Sequence, residues 1–391
     1  MNKSPRKLLL RDARIVLENR IIEDGMILIE DERIVSLGEN QTGLRSDAET
    51  LSLGGLTVLP GFIDVHIHGA VGVDVMEASA DGLTQVSAYL ATQGVTGWLA
   101  TLVPGSDENY ASVSAAVGHA INGAETTGAR VLGIHYEGPF VNSAQCGALH
   151  TEYFKTYSSP KDLDALPVPE NAVRMITMAP EVDGGIDLVR ELTRRGWVVS
   201  IGHTRANLQV LEEACAAGAH HMTHFMNAMA PLHHRSPGPI AWGLSRDDVT
   251  VDLIADGVHI HPFMLRLLMK TKGASGISLI SDAIAAAGKG DGDYQIWGET
   301  ITVKNDRTAN AAGSIAGSVI SMLDAVRLLH SLGVSYIDLA RMASSNPARL
   351  LGLKHDCGSI QPGKRADLVA LDQDSNVKLT LIGGRSVPNP R

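Results

Sequence analysis

A closed parallel (β/α)8 barrel, with a small β-sandwich built from the two chain ends beside it, is the fold this sequence predicts. Three observations lead there. The middle of the chain alternates short apolar runs with amphipathic helical segments, whereas both ends carry only β-prone runs and turns. The length of 391 residues exceeds the ~250 of a barrel by about one small module.

The elements follow in order. Residues 7 to 53 hold "KLLLRDARIVL", "GMILIEDERIVSLG" and "ETLSLGG", separated by turn residues, and the closing "GSIQPGKRADLVALDQDSNVKLTLIGGRSV" repeats that pattern. We therefore assign residues 1–57 and 351–391 to the sandwich and 58–350 to the barrel. Barrel strands are expected near 58–67, 96–103, 130–137, 173–180, 197–203, 221–226, 250–256 and 276–282. Helical patterns such as "DGLTQVSAYLATQG", "GIDLVRELTRRG" and "ANLQVLEEACAAG" fill the gaps, each closing on a glycine suited to a helix C-terminus. Long segments follow the sixth and eighth strands, "NAMAPLHHRSPGPIAWGLSRDD" in the first case. In the second, "DYQIWGETITVKND" reads as a hairpin. Barrel enzymes keep substrate contacts in loops at these strand ends.

Composition excludes several partners. The formal charge of −10 and pI near 5.8 argue against general affinity for nucleic acid or anionic membranes, which reward clustered Lys and Arg. No run reaches the ~18 uncharged apolar residues of a membrane span, so a soluble, unexported chain is expected. Cys146, Cys215 and Cys357 are far apart and odd in number, which fits a reducing cytoplasm and no disulfide framework.

The polar residues fall in a pattern. In "LPGFIDVHIHGA", His66 and His68 are two residues apart, so on a strand they share a face, with Asp64 deeper on that face. Glu137 ends "VLGIHYE", His203 ends "WVVSIGH", His224 lies in "HMTHFMNAM" and Asp282 ends "ISLISD". In a closed barrel those strand ends meet at one mouth. A single buried histidine is usually a hydrogen-bonded core group. Core packing does not explain four imidazoles and two carboxylates all at strand ends, whereas a borderline or hard divalent ion such as Zn, Fe or Mn does. His135 shares the strand face of Glu137 and is placed to orient a ligand, while His119, His330 and His355 are expected in solvent.

"PGFIDVHIHG", "IADGVHIH" and "GSIQPGKRADLVAL" resemble the amidohydrolase superfamily. "YEGPFVN", "GHTRAN", "THFMNAMAPLHHRSPG", "LISDAIAAAG" and "AGSVISM" resemble its N-acetylglucosamine-6-phosphate deacetylase family over nearly the whole chain. That resemblance implies the same barrel and split sandwich. It implies that Glu137, His203 and His224 hold the ion common to the family, and that His66 and His68 support a second bridged by the glutamate. Asp282 is implied as the catalytic aspartate and a further ligand. Asn227, Ala228, Arg235 and His259 are implied as sugar-phosphate contacts, with the arginine reaching a neighbouring subunit of a homodimer, and Ile315, Ala316 and Gly317 as a backbone contact. One departure is visible. The family's glycine, small residue and histidine become Gly147, Ala148, Leu149 and His150, so the carbonyl-polarising histidine is displaced by one position: either His150 reaches the site through a loop adjustment, or the pocket lacks that group and accepts a different sugar.

The implied cofactor is one or two divalent ions, Zn foremost, with Fe, Mn, Co or Ni as alternatives. The implied reaction is hydrolysis of N-acetylglucosamine-6-phosphate to glucosamine-6-phosphate and acetate. Three alternatives stay open: the galactosamine epimer, another N-acyl or cyclic-amide hydrolase, and a non-catalytic sugar-binding relative. The cyclic-amide case usually places a carboxylated lysine on strand four, and "AVRMITMAPE" contains none. A non-catalytic descendant is expected to have lost part of the polar set, which is whole here.

Overall fold

The computed structural model describes residues 6–40, 47–123 and 128–387. Eight strands form one parallel sheet: β1 (Phe62–Ile67), β2 (Val95–Leu102), β3 (Arg130–Glu137), β4 (Val173–Met178), β5 (Val198–Ile201), β6 (His221–Met222), β7 (Thr250–Ile254) and β8 (Ile277–Ile280). They are hydrogen-bonded in sequence order, so the sheet curls into the expected barrel. Its near-uniform burial follows from the apolar runs, because a parallel strand covered by helices outside and packed side chains inside has no wet face.

Closure between β8 and β1 lies just beyond the regular ladder. Asp282 N–H donates to the His66 carbonyl at 2.9 Å and His68 N–H to the Ala283 carbonyl at 2.8 Å. Beneath them, Ser281 Oγ donates to Asp64 Oδ2 at 2.5 Å. Asp64 is wholly buried, and burial pushes its carboxyl up to about 6 even though hydrogen bonds from Ser281 oppose the shift.

The first strand departs from its expected span. Residues 58–67 divide at Gly61, with Thr57–Pro60 pairing antiparallel to Leu368–Leu371 in the other large sheet. A Cβ on Gly61 would lie 2.2 Å from Thr96 Cγ2, so only glycine lets the chain pass between the two sheets. That second sheet has eight strands and joins both ends of the chain through this pairing. It carries its own core, including Leu10, Ile15, Ile27, Ile29 and Leu368.

Helices are set by their caps. Ser79, Ser106 and Asn207 each accept a first-turn amide and start Ala80–Thr92, Asp107–Asn122 and Leu208–Ala216. The insertion after β8 is a three-stranded antiparallel unit, Gly292–Ile296, Glu299–Lys304 and Arg307–Ala309. Among the described residues no helix is long and apolar enough to cross a membrane.

Candidate active site and metal centre

The C-terminal ends of β1, β3, β5, β6 and β8 bring six polar side chains into one buried cluster. Glu137 Oε1 lies 2.9 Å from His203 Nε2 and 3.0 Å from His224 Nε2, and the two imidazole nitrogens are 3.1 Å apart. A second trio sits alongside, where His66 and His68 Nε2 are 3.1 Å apart and lie 3.3 and 3.2 Å from Asp282 Oδ1. Glu137 spans both trios, with Oε1 3.6 Å from His66 and Oε2 3.3 Å from His68. Within each trio the donor atoms all lie within 4.8 Å of one another.

This arrangement fits a bound cation on its own chemistry. His203 Nδ1 lies 2.7 Å from the Gln145 carbonyl, which can only accept, so the neutral ring, the form that can bind a metal ion, carries its proton on Nδ1 and turns its Nε2 lone pair to the cluster. That lone pair meets a carboxylate oxygen and another imidazole nitrogen within 3.1 Å. Such a convergence of acceptors needs positive charge among them. The proton equilibria make the same demand. Burial opposes charge on His68, yet hydrogen bonds to Asp282 and Glu137 outweigh it and raise the imidazole to about 10. Burial likewise works against ionised Glu137 and Asp282, but the facing imidazoles hold both carboxyls below the usual range.

The backbone turns sharply at three of these residues. His203, His224 and Asp282 have φ of 47°, 31° and 52°, in the left-handed region that costs a non-glycine residue roughly 1–3 kcal/mol. These turns end the strand ladders and explain why β6 is only two residues long, where 221–226 were expected.

Beneath the cluster, His135 lies 2.8 Å from the Val65 carbonyl and 2.8 Å from Thr177 Oγ1, and packs edge-on against His66 at 4.7 Å. Burial and the neighbouring His66 push it well below the usual imidazole range, so it stays neutral and supports the His66 ring.

A cavity of about 170 Å³ opens onto the cluster, lined by Asn227, Ala228, His259, Ile315 and Gly317 among others. Asp256 Oδ2 holds His259 Nδ1 at 2.6 Å. Gly317 has φ of 58°, and a Cβ there would lie 3.0 Å from the Asp282 carbonyl oxygen, so the backbone approaches as only glycine permits. Three expected contacts stand apart from this lining. Ala316 turns into the core of the inserted hairpin, and its N–H donates to Thr308 Oγ1 at 3.3 Å. Arg235 is exposed on the loop after β6 and contacts His234 at 2.8 Å.

His150 also lies outside. Leu149 lines the cavity in its place, while His150 Nε2 donates to the Trp297 carbonyl at 2.9 Å and borders an adjoining cavity. Neighbouring residues of this loop thus face different cavities, and the apolar side chain is the one beside the cluster. Trp297 itself lines the cavity with its ring 5.2 Å from that of His68. Sequence reasoning identified the hairpin but not this residue; the only signal was an aromatic at a tight Trp–Gly turn in a long loop after the last strand.

Fold and donor set together define a barrel hydrolase. The amidohydrolase family model matches residues 57–387, and the chain belongs to that family. Within it, the chain is 36% identical over 384 residues to N-acetylglucosamine-6-phosphate deacetylase of Bacillus subtilis, covering 96% of each protein. It is 34% identical to N-acetylgalactosamine-6-phosphate deacetylase of Escherichia coli O157:H7, over 96% of this chain and 98% of that protein. Among solved structures, a mutant N-acetylglucosamine-6-phosphate deacetylase of Mycobacterium smegmatis, in complex with N-acetylglucosamine-6-phosphate, is 33% identical. It superposes with a TM-score of 0.88, covering 98% of this chain and all of that one.

Proposed function

We propose that this chain hydrolyses the acetyl amide of N-acetylglucosamine-6-phosphate, releasing glucosamine-6-phosphate and acetate. The observation that carries the reading is the pair of buried trios bridged by Glu137 at the barrel mouth, in a chain that aligns end to end with relatives of that name.

In this reading Glu137, His203 and His224 hold one divalent ion, and His66, His68 and Asp282 contribute to a second beside it. Zn is the proposed ion, because imidazole and carboxylate donors suit it, and Fe, Mn, Co and Ni are the alternatives for the same donors. When bound, such an ion polarises the acyl oxygen and lowers the pKa of water to about 7 in favourable sites. Asp282, which the facing imidazoles keep ionised despite burial, accepts the proton of the attacking water. It then delivers that proton to the nitrogen of the departing amine, which would otherwise leave as an unstable anion. Asn227, His259 and the backbone at Ile315 and Gly317 orient the sugar along the polar side of the cavity. Arg235, exposed after β6, would serve the 6-phosphate in a neighbouring copy of a homodimer, where its planar fork suits phosphate. Three cysteines without disulfides support a cytoplasmic location.

The galactosamine epimer is the second reading, favoured by the 34% identity to the E. coli enzyme of that name. Acetate release from both 6-phosphorylated N-acetylhexosamines, with defined metal, tests the two. Release from neither overturns the function, and a strong preference for the galactosamine compound replaces the first reading with the second.

A further inference from the structure

The cavity beside the candidate metal cluster has two unlike sides. Asn227 and His259 enter it from the loops after β6 and β7, whereas Leu149 enters from the loop after β3 and the Trp297 indole, apolar but for an Nε1–H that has no hydrogen-bond partner among the described residues, from the hairpin packed on His68. Trp297 is also the partition to a second cavity of about 260 Å³, bordered by Met76, Val103 and Pro104. Its ring stands edge-on to His68 at 5.2 Å, so the apolar side begins directly against the cluster. Leu149 is 7% exposed and lines the cavity, which His150 does not.

An N-acyl amide held by its carbonyl at this cluster must send its two substituents in different directions. The hydroxylated, phosphorylated amine has donors and acceptors to satisfy and belongs on the polar side. The acyl chain then faces Leu149 and Trp297. We propose that these two side chains form the wall that limits the acyl group to a short one, resting on the amide hydrolase function above. Trp297 blocks the route by which a longer chain would extend into the adjoining cavity. His150 is the positioning residue of the wall. Its Nε2–H bond to the Trp297 carbonyl ties the loop carrying Leu149 to the inserted hairpin carrying Trp297, which fixes the separation of the two side chains.

The test uses N-formyl, N-acetyl, N-propionyl and N-butyryl derivatives of one hexosamine 6-phosphate, with kcat/KM measured from the amine that all four release. Wild type should favour acetyl over propionyl and butyryl by tenfold or more per methylene, a pocket effect of about 10–200-fold. Trp297→Leu and Leu149→Ala should each raise the butyryl-to-acetyl ratio by about tenfold or more, with metal content by elemental analysis unchanged. His150→Ala should shift the ratio the same way but less, and His150→Gln, which keeps an N–H for the Trp297 carbonyl, should restore it. A purely structural role for His150 would lower all four rates alike. A wild type that accepts butyryl as readily as acetyl, or an unchanged ratio in both folded wall variants, overturns the wall. A wild type that cleaves none of the four overturns the amide hydrolase reading and the wall together.

Discussion

Ser281→Ala tests whether the barrel is closed through Asp64. The substitution removes a 2.5 Å donor from a carboxylate that is wholly buried and whose other contacts, the amides of His66 and Ser281, are both longer at 3.3 Å. A hydrogen bond to a charged group contributes about 1.5–3 kcal/mol, and its loss leaves that charge poorly solvated, so a cost of about 2–3 kcal/mol is expected. The cost should depend on pH. Asp64 titrates near 6 in the folded protein, raised chiefly by burial and restrained by the Ser281 hydrogen bond. Its folded value lies above that of an unfolded carboxyl, so stability falls as pH rises through about 6 and the group ionises. Losing Ser281 raises the folded value further. The variant should therefore trail wild type least below pH 5 and most above pH 7. Thermal unfolding across that range, on protein stripped of metal so that ligand binding adds nothing, is the assay. A Tm deficit that is flat with pH, or smaller than about 1 °C throughout, would refute closure through this pair.

Three further outcomes follow from the cluster. Asp282→Asn should retain the ion assigned to Glu137, His203 and His224, about one per chain by elemental analysis, while lowering acetate release about 10²–10⁴-fold, the usual contribution of a positioned acid–base group; unimpaired turnover would remove it from proton transfer. His203→Ala should empty the site it shares with Glu137 and His224, and full metal occupancy would count against that assignment. Arg235→Ala should raise KM for the 6-phosphorylated substrate with little effect on the unphosphorylated analogue, so an equal rise for both would end its phosphate role.

The barrel was legible because its strands are short apolar runs that stop at an ionisable residue, as β3 does at Glu137 and β8 just before Asp282. Period and termination are local, so the order of elements could be read without contacts. What could not be read depended on contacts or on single-residue register. The expected continuous strand 58–67 divides at Gly61 because its two halves pair in different sheets, 57–60 with Leu368–Leu371 and 62–67 with Val95–Leu102. His150 faces outward and Leu149 inward because a loop, unlike a strand, has no fixed period from which a side chain's direction follows. Trp297 belongs to the cavity only through the docking of a hairpin on His68, and nothing in "QIWGE" specifies where that hairpin lands. Asp64 was legible as a supporting residue on the face of His66, yet its partner Ser281 is 217 residues away.

The left-handed turns connect these observations. A strand that simply continued past His203, His224 or Asp282 would alternate its side chains and carry the next residue, not the donor, toward the barrel axis. A turn at φ of 31° to 52° halts the alternation and frees the carbonyl of the turning residue. In each case a loop amide takes up that carbonyl: Asn142 N–H donates to His203 at 3.1 Å, Asn227 to His224 at 2.9 Å and Ser318 to Asp282 at 2.7 Å. Asn142 lies in the loop carrying Leu149, Asn227 lines the cavity, and Ser318 follows the glycine backbone at Gly317. The conformation that aims each donor is thus the one that moors the loop around it. The strain is held by the folded barrel on one side and these three hydrogen bonds on the other, so donor geometry and cavity shape are set together.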